Sequence, residues 1–147
     1  MEILRAIERR APSGDTNLGK ILLEVAGKMK RRGLVILVSD LLDEPEEILK
    51  GLRLFRFKGN DVIVFHLLDP AELDLPFDGN VLFEDMEAAN LKVTADPQAI
   101  RKIYRKVVEE FVDHLRKECR ENSMDYQLLS TSTPLDHALV SYLGWRG

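Results

Sequence analysis

The sequence predicts an α/β protein built on a mostly parallel sheet flanked by helices, and three observations predict it. Gly33 leads into the apolar run Leu34-Val35-Ile36-Leu37-Val38, closed by Ser39 and Asp40. A continuous, β-branched run of about five residues reads as a parallel strand buried on both faces. Val62-Ile63-Val64-Phe65-His66 repeats the pattern after a turn at Gly59-Asn60-Asp61. Apolar residues at helical spacing precede each run, and helix–strand alternation is the signature of right-handed parallel crossover units. In such sheets ligands bind outside the carboxyl ends of the strands, so Ser39 and Asp40 mark where a site belongs.

The chain of 147 residues is sized for a single domain, expected over 1–147, with enough length for a proper core. With 45 % hydrophobic and 31 % charged residues it has a globular, soluble composition. A net charge of −4 with both signs interspersed gives no footprint for nucleic acid and no polybasic membrane patch. The single cysteine, Cys119, excludes an internal disulfide and a Cys-rich zinc site, and reads as a reduced thiol. No apolar run approaches the roughly 18 residues of a membrane span, and no signal peptide follows Met1. A cytoplasmic protein is expected.

In order, Glu2 to Arg10 reads as a short amphipathic helix with Ile3, Leu4 and Ile7 on one face, and residues 11–17 as a Pro/Gly loop. Thr16 or Asn17 caps the next helix, expected to run to about Arg32 on Leu18, Ile21, Leu22, Val25 and Met29, with Gly33 ending it. After the first strand, Asp43, Glu44 and Pro45 open a helix with acids at its positive end and an apolar face of Ile48, Leu49, Leu52, Leu54 and Phe55. Leu67 to Asp78 reads as irregular because of Pro70 and Pro76. Residues 80–85 and 91–93 form two short strands of an inserted hairpin. Asp96-Pro97 starts the longest helix, to about Asn122, whose apolar stripe is Ile100, Ile103, Tyr104, Val107, Phe111 and Leu115. A last strand, Tyr126–Leu129, leads through Ser130–Thr133 and Pro134 into a final helix to about Leu143.

This topology gathers Thr16, Asp40, His66, Asp69 and Ser130–Thr133 at one sheet edge. A hydroxyl and a carboxylate, Thr16 and Asp40, are a partial oxygen ligand set for Mg²⁺ or Mn²⁺. Each residue also has a plainer reading: Thr16 as a helix cap, Asp40 as a loop cap, His66 as a hydrogen-bonded structural histidine, and Ser130–Thr133 as a cap.

The runs Ser13-Gly14-Asp15-Thr16-Asn17-Leu18-Gly19, Arg31 to Asp43, Val64 to Leu73, Pro76-Phe77-Asp78-Gly79, Asp125 to Thr131 and Pro134-Leu135-Asp136 resemble a von Willebrand factor A-like domain. More closely, they resemble the prokaryotic family called domain of unknown function 58, over essentially the whole chain. The resemblance implies a Rossmann-like three-layer sandwich with a mostly parallel sheet and an inserted hairpin. In A-type domains a metal-ion-dependent adhesion site combines an Asp-x-Ser-x-Ser run, a Thr and an Asp. Thr16 matches the second element and Asp40 the third, while the first is absent, so the chain resembles the C-terminal half of the domain, with an incomplete metal site.

The implied function is a non-enzymatic protein-interaction module, associated with a MoxR-type AAA+ ATPase in complex assembly. Ser39, Asp43, His66, Asp69 and Thr131 are then the expected partner-binding rim, and Mg²⁺ the one candidate cofactor. Lacking its family neighbour, strand Leu34–Val38 is expected to pair or cover its edge in a homodimer. The alternative is a Mg²⁺-dependent phosphoryl-transfer enzyme using Asp40. Against it, Asp40-Leu41-Leu42-Asp43 lacks Asp-x-Asp spacing, no Gly-Lys-Ser/Thr follows Ser13-Gly14, and no nucleophile–base pair stands at a suggestive spacing.

Overall fold

In the computed structural model the residues described are 17–84, 92–134, 136, 137, 140, 142 and 144. The expected helix at 2–10, the loop carrying Thr16, and the hairpin turn at 86–90 lie outside them.

Three strands carry the fold: β1 (Leu34–Ser39), β2 (Asp61–Leu68) and, at the far end of the chain, β5 (Asp125–Ser130). They form one parallel sheet in the order β1-β2-β5, with Val35 beside Val62, Leu37 beside Val64, and Val64 beside Tyr126. The inserted β3 (Val81–Glu84) and β4 (Lys92–Ala95) pair antiparallel as a separate two-stranded sheet. The mixed α/β reading therefore holds, and each core strand extends a residue or two beyond its apolar run.

Helix α1 (Leu18–Lys28) starts at Asn17, whose side chain accepts the Lys20 N–H at 2.7 Å. It ends at Lys28, four residues short of the expected Arg32. Met29 is extended, so Lys30, Arg31 and Arg32 follow the helix instead of completing its last turn. The α1 carboxyl end is capped from elsewhere: Lys58 Nζ donates to the Ala26 carbonyl and, at 3.3 Å, to that of Gly27. Helix α2 (Pro45–Phe57) lies against α1 at a crossing that only small residues allow. A Cβ on Gly51 would meet Leu22 Cβ at 2.5 Å, and one on Gly19 would meet Glu47 Cβ at 2.7 Å.

Leu67–Asp78 is not wholly irregular. Pro70–Asp74 forms a short helix, α3, because Pro suits a first helical turn and Asp69 and Glu72 make a reciprocal capping box. Asp69 accepts the Ala71 N–H at 2.8 Å and Glu72 accepts the Asp69 N–H at 2.6 Å.

Helix α4 (Pro97–Glu121) starts at Asp96, which accepts the Gln98 N–H at 3.0 Å. Its 25 residues span about 37 Å, against about 20 Å for the six residues of β5. The carboxyl half packs into the main core through Leu115 and Cys119, with Val112 buried and Phe111 half-buried. The amino half overhangs it, which corrects the expected apolar stripe: Ile100, Ile103 and Val107 are exposed.

The main core joins α1, α2, α4 and one face of the sheet, from Leu22 and Ala26 through Ile48, Leu52 and Phe55 to Val62, Val64 and Leu115. The other face holds a smaller cluster of Ile63, Phe65, Leu129 and Tyr142. Tyr142 stacks edge-on against Phe65 at 5.2 Å, and its hydroxyl donates to Asp125 at 2.8 Å. That cover does not reach β1. Val35 and Leu37 face the main core, but Leu34, Ile36 and Val38 are 53, 53 and 56 % exposed. The expectation that β1 is buried on both faces is thus corrected: it is an edge strand of the described sheet, with one face open.

Candidate functional site

At the carboxyl edge of β1 the backbone turns sharply. Leu41 sits at φ +55°, a left-handed conformation that costs a residue with a Cβ about 1–2 kcal/mol. Three features hold it: its side chain is buried in the main core, its N–H donates to Ser39 Oγ at 3.1 Å, and its carbonyl accepts the Asp43 N–H at 2.9 Å.

His66 fixes the residue before it. Its Nε2 lies 2.9 Å from the Asp40 carbonyl, and its Nδ1 lies 2.6 Å from the Tyr126 hydroxyl. A carbonyl can only accept, so Nε2 carries the proton and Nδ1 accepts from Tyr126. Burial pushes the His66 pKa down, so the neutral ring is the native form, and burial likewise raises that of Tyr126. His66 has no accessible surface. It lies beneath the sheet edge and not on the partner-binding rim where it was expected, supporting the Asp40 backbone from within.

The other expected residues separate into two groups. Asp40 is exposed, and its Oδ1 accepts weakly from Ser39 Oγ at 3.3 Å and from the Leu42 N–H at 3.4 Å. Asp43 takes the α1 amino terminus: it accepts from Glu44 N–H at 2.7 Å, Gly19 N–H at 3.4 Å and Leu18 N–H at 2.7 Å. These donors hold its carboxyl below the usual carboxylate range. On the far side of the edge, Asp69 accepts the Thr131 hydroxyl at 2.7 Å, tying the end of β2 to the end of β5. Its carboxyl is likewise lowered, first by the Ala71 N–H and then by Thr131. Ser39, Asp40 and Asp43 thus share one loop, and Asp69 and Thr131 form a separate pair.

Thr16 lies outside the described residues. Among those described, no three His, Cys, Asp or Glu side chains gather around one point. A cation at Asp40 would have one described carboxylate where Mg²⁺ calls for near-octahedral oxygen coordination. Of the two expected ligands, Asp40 is the one the described residues place.

What the sequence did not disclose is the apolar surface beside Asp40. An open groove of about 620 Å³ runs between the strand-end loop and the overhanging part of α4. Leu41, Leu42, Asp43, Glu44 and Pro45 form one wall, and Tyr104, Val107, Val108 and Phe111 the other. Leu42 is 70 % exposed, and the Tyr104 hydroxyl donates to the Glu72 carbonyl at 2.7 Å, bracing α4 against α3. The available signal was the pair Leu41-Leu42, directly after the carboxylate and outside any strand or helix. No described helix is long and apolar enough to cross a membrane.

No curated protein and no solved structure matches this chain. A family model described as protein of unknown function DUF58 matches residues 1–112, and the chain belongs to that family.

Proposed function

We propose that this chain is a non-enzymatic protein–protein interaction module of the von Willebrand factor A-like type, acting with a MoxR-type AAA+ ATPase in complex assembly. The observation that carries the reading is the exposed Asp40 placed directly before the Leu41-Leu42 wall of an apolar groove. Apolar grooves with a polar rim suit a protein partner, whose buried anchors supply most of the affinity. The parallel sheet with helices between its strands, and a carboxylate at the end of β1, support the A-like reading. In that reading the chain corresponds to part of an A-like domain, and Asp40 to its last metal-site element.

The test is the affinity of the purified chain for a MoxR-type ATPase, with and without millimolar Mg²⁺. Leu42→Asp and Val107→Asp place charges on exposed groove side chains and leave the core untouched. Each should weaken binding about tenfold or more, roughly 1.4 kcal/mol. Unchanged affinity in both variants would remove the groove from the interaction.

A further inference from the structure

We propose that the amino edge of the sheet, opposite the Asp40 loop, carries a binding site for a diphosphate-class anion between Lys30, Arg31, Arg32 and Lys58. It shares no residue with the groove, so it stands or falls apart from the interaction reading.

The site is a hollow of about 290 Å³ lined by Met29, Lys30, Arg31, Arg32, Lys58 and Asn60. Cations dominate that lining, and no described carboxylate joins it. The acids close by in the chain are engaged elsewhere. Asp61, directly after Asn60, pairs with Arg56 at 3.1 Å, and Glu24 pairs with Lys28 at 3.6 Å. Among the described residues, no acid pairs with Lys30, Arg31, Arg32 or Lys58.

The plainest role for such cations is to face the carboxyl end of a helix. That role is already filled. Helix α1 stops at Lys28, the Met29 N–H donates to the Val25 carbonyl, and Lys58 Nζ takes the carbonyls of Ala26 and Gly27. Lys30, Arg31 and Arg32 therefore stand beyond the helix, on the irregular segment before β1, with their charge uncompensated.

The frame that holds them is fixed. Asn60, 1 % exposed, accepts the Gly33 N–H at 2.9 Å and donates to the Phe55 carbonyl at 3.0 Å. The Asp61 N–H donates to the Gly33 carbonyl at 2.9 Å, so the residue after Arg32 is gripped through both its N–H and its carbonyl. Gly59, at φ +80°, leaves the room that Arg32 uses: a Cβ there would lie 2.7 Å from Arg32 Nε. The guanidinium thus rests on a bare turn next to Lys58. Charges set out in advance by the backbone bind with less ordering cost.

Chemistry selects the anion. Guanidinium forks match phosphate oxygens in pairs, and ammonium groups add point charge. A single carboxylate would leave most of these cations unmatched, whereas a diphosphate brings several negative charges on one compact group. Free diphosphate and the diphosphate of a nucleotide share that chemistry.

Titration calorimetry of the purified chain in low-salt, Mg²⁺-free buffer, with inorganic pyrophosphate as the probe, tests the site. One-to-one binding is expected, weakening steeply as salt rises. Arg31→Gln and Arg32→Gln, both at exposed side chains, should each weaken it about tenfold. Lys102→Gln removes an exposed cation on α4 and should leave the affinity unchanged. Pyrophosphate should also raise the melting temperature of the native chain, and less so that of Arg31→Gln, which touches no packed residue of the turn. ADP binding as tightly as pyrophosphate supports a nucleotide as the source, and pyrophosphate binding without ADP binding supports the free anion. The proposal is overturned by an absence of binding at millimolar pyrophosphate, or by a tetraglutamate peptide that binds as tightly. It is equally overturned if Lys102→Gln weakens binding as much as the arginine variants do.

Discussion

His66 has both ring nitrogens satisfied and no contact with water, yet it directs the exposed end of β1 by holding the Asp40 carbonyl. Its pKa is lowered by burial, so the unfolded chain takes up a proton near pH 6.5 that the native chain refuses. Stability from this group is therefore complete above about 6.5 and is lost as the pH falls toward the lowered native value. Urea unfolding at pH 7.5 and 5.5 should show that loss in the native chain. His66→Phe should cost about 2 kcal/mol at pH 7.5, since the Asp40 carbonyl and Tyr126 hydroxyl lose their partner, and should show less of the acid loss. Parallel pH profiles for the two proteins would refute the assignment. The location of this site was readable from β1 because an apolar run ending in Ser39-Asp40 announces a strand and its carboxyl end. The roles were less readable. Asp43 reads locally as the start of α2, and its actual task, at the amino end of α1, depends on a contact across 25 positions.

Among the elements, the α1–α2 pair rests on two glycines, one from each helix, so its spacing is set by the absence of side chains. Gly51→Val would drive new carbons into Leu22 and should destabilise the protein by about 2 kcal/mol, read as a fall in denaturation midpoint at unchanged slope. A smaller change would mean that α1 yields easily. Such packing is invisible to periodicity, which marks the apolar residues of a helix and not what covers them. The same limit explains α4, where one stripe continues from a buried half onto an exposed one. The helix α3 is legible in Asp69-Pro70-Ala71-Glu72, where Pro70 opens the first turn and does not break it.

Over the whole molecule, the two faces of the sheet are unequally protected. Three helices cover one; on the other, Tyr142 packs with Ile63, Phe65 and Leu129, and Leu67 lies against them. Tyr142→Ala removes an aromatic contact and the hydrogen bond to Asp125, and should cost about 3 kcal/mol. It should also raise binding of an apolar dye at native pH, because Phe65 joins the already open face of β1. Loss of stability with no added dye binding would show that other residues close over the gap. The parallel sheet was legible because both its long apolar runs and its helix alternation are local signals. The uneven cover was not, since a strand with one open face has the same composition as a fully buried one.

The capping of α1 has a mechanical corollary. Asp43, just ahead of α2, grips the first turn of α1, and Lys58, just behind α2, grips its last. Helix α1 is therefore a passenger clipped at both ends to the segment that carries α2. Displacing the loop after β1 would therefore pull through Asp43 on the first turn of α1, while Lys58 holds its last turn in place.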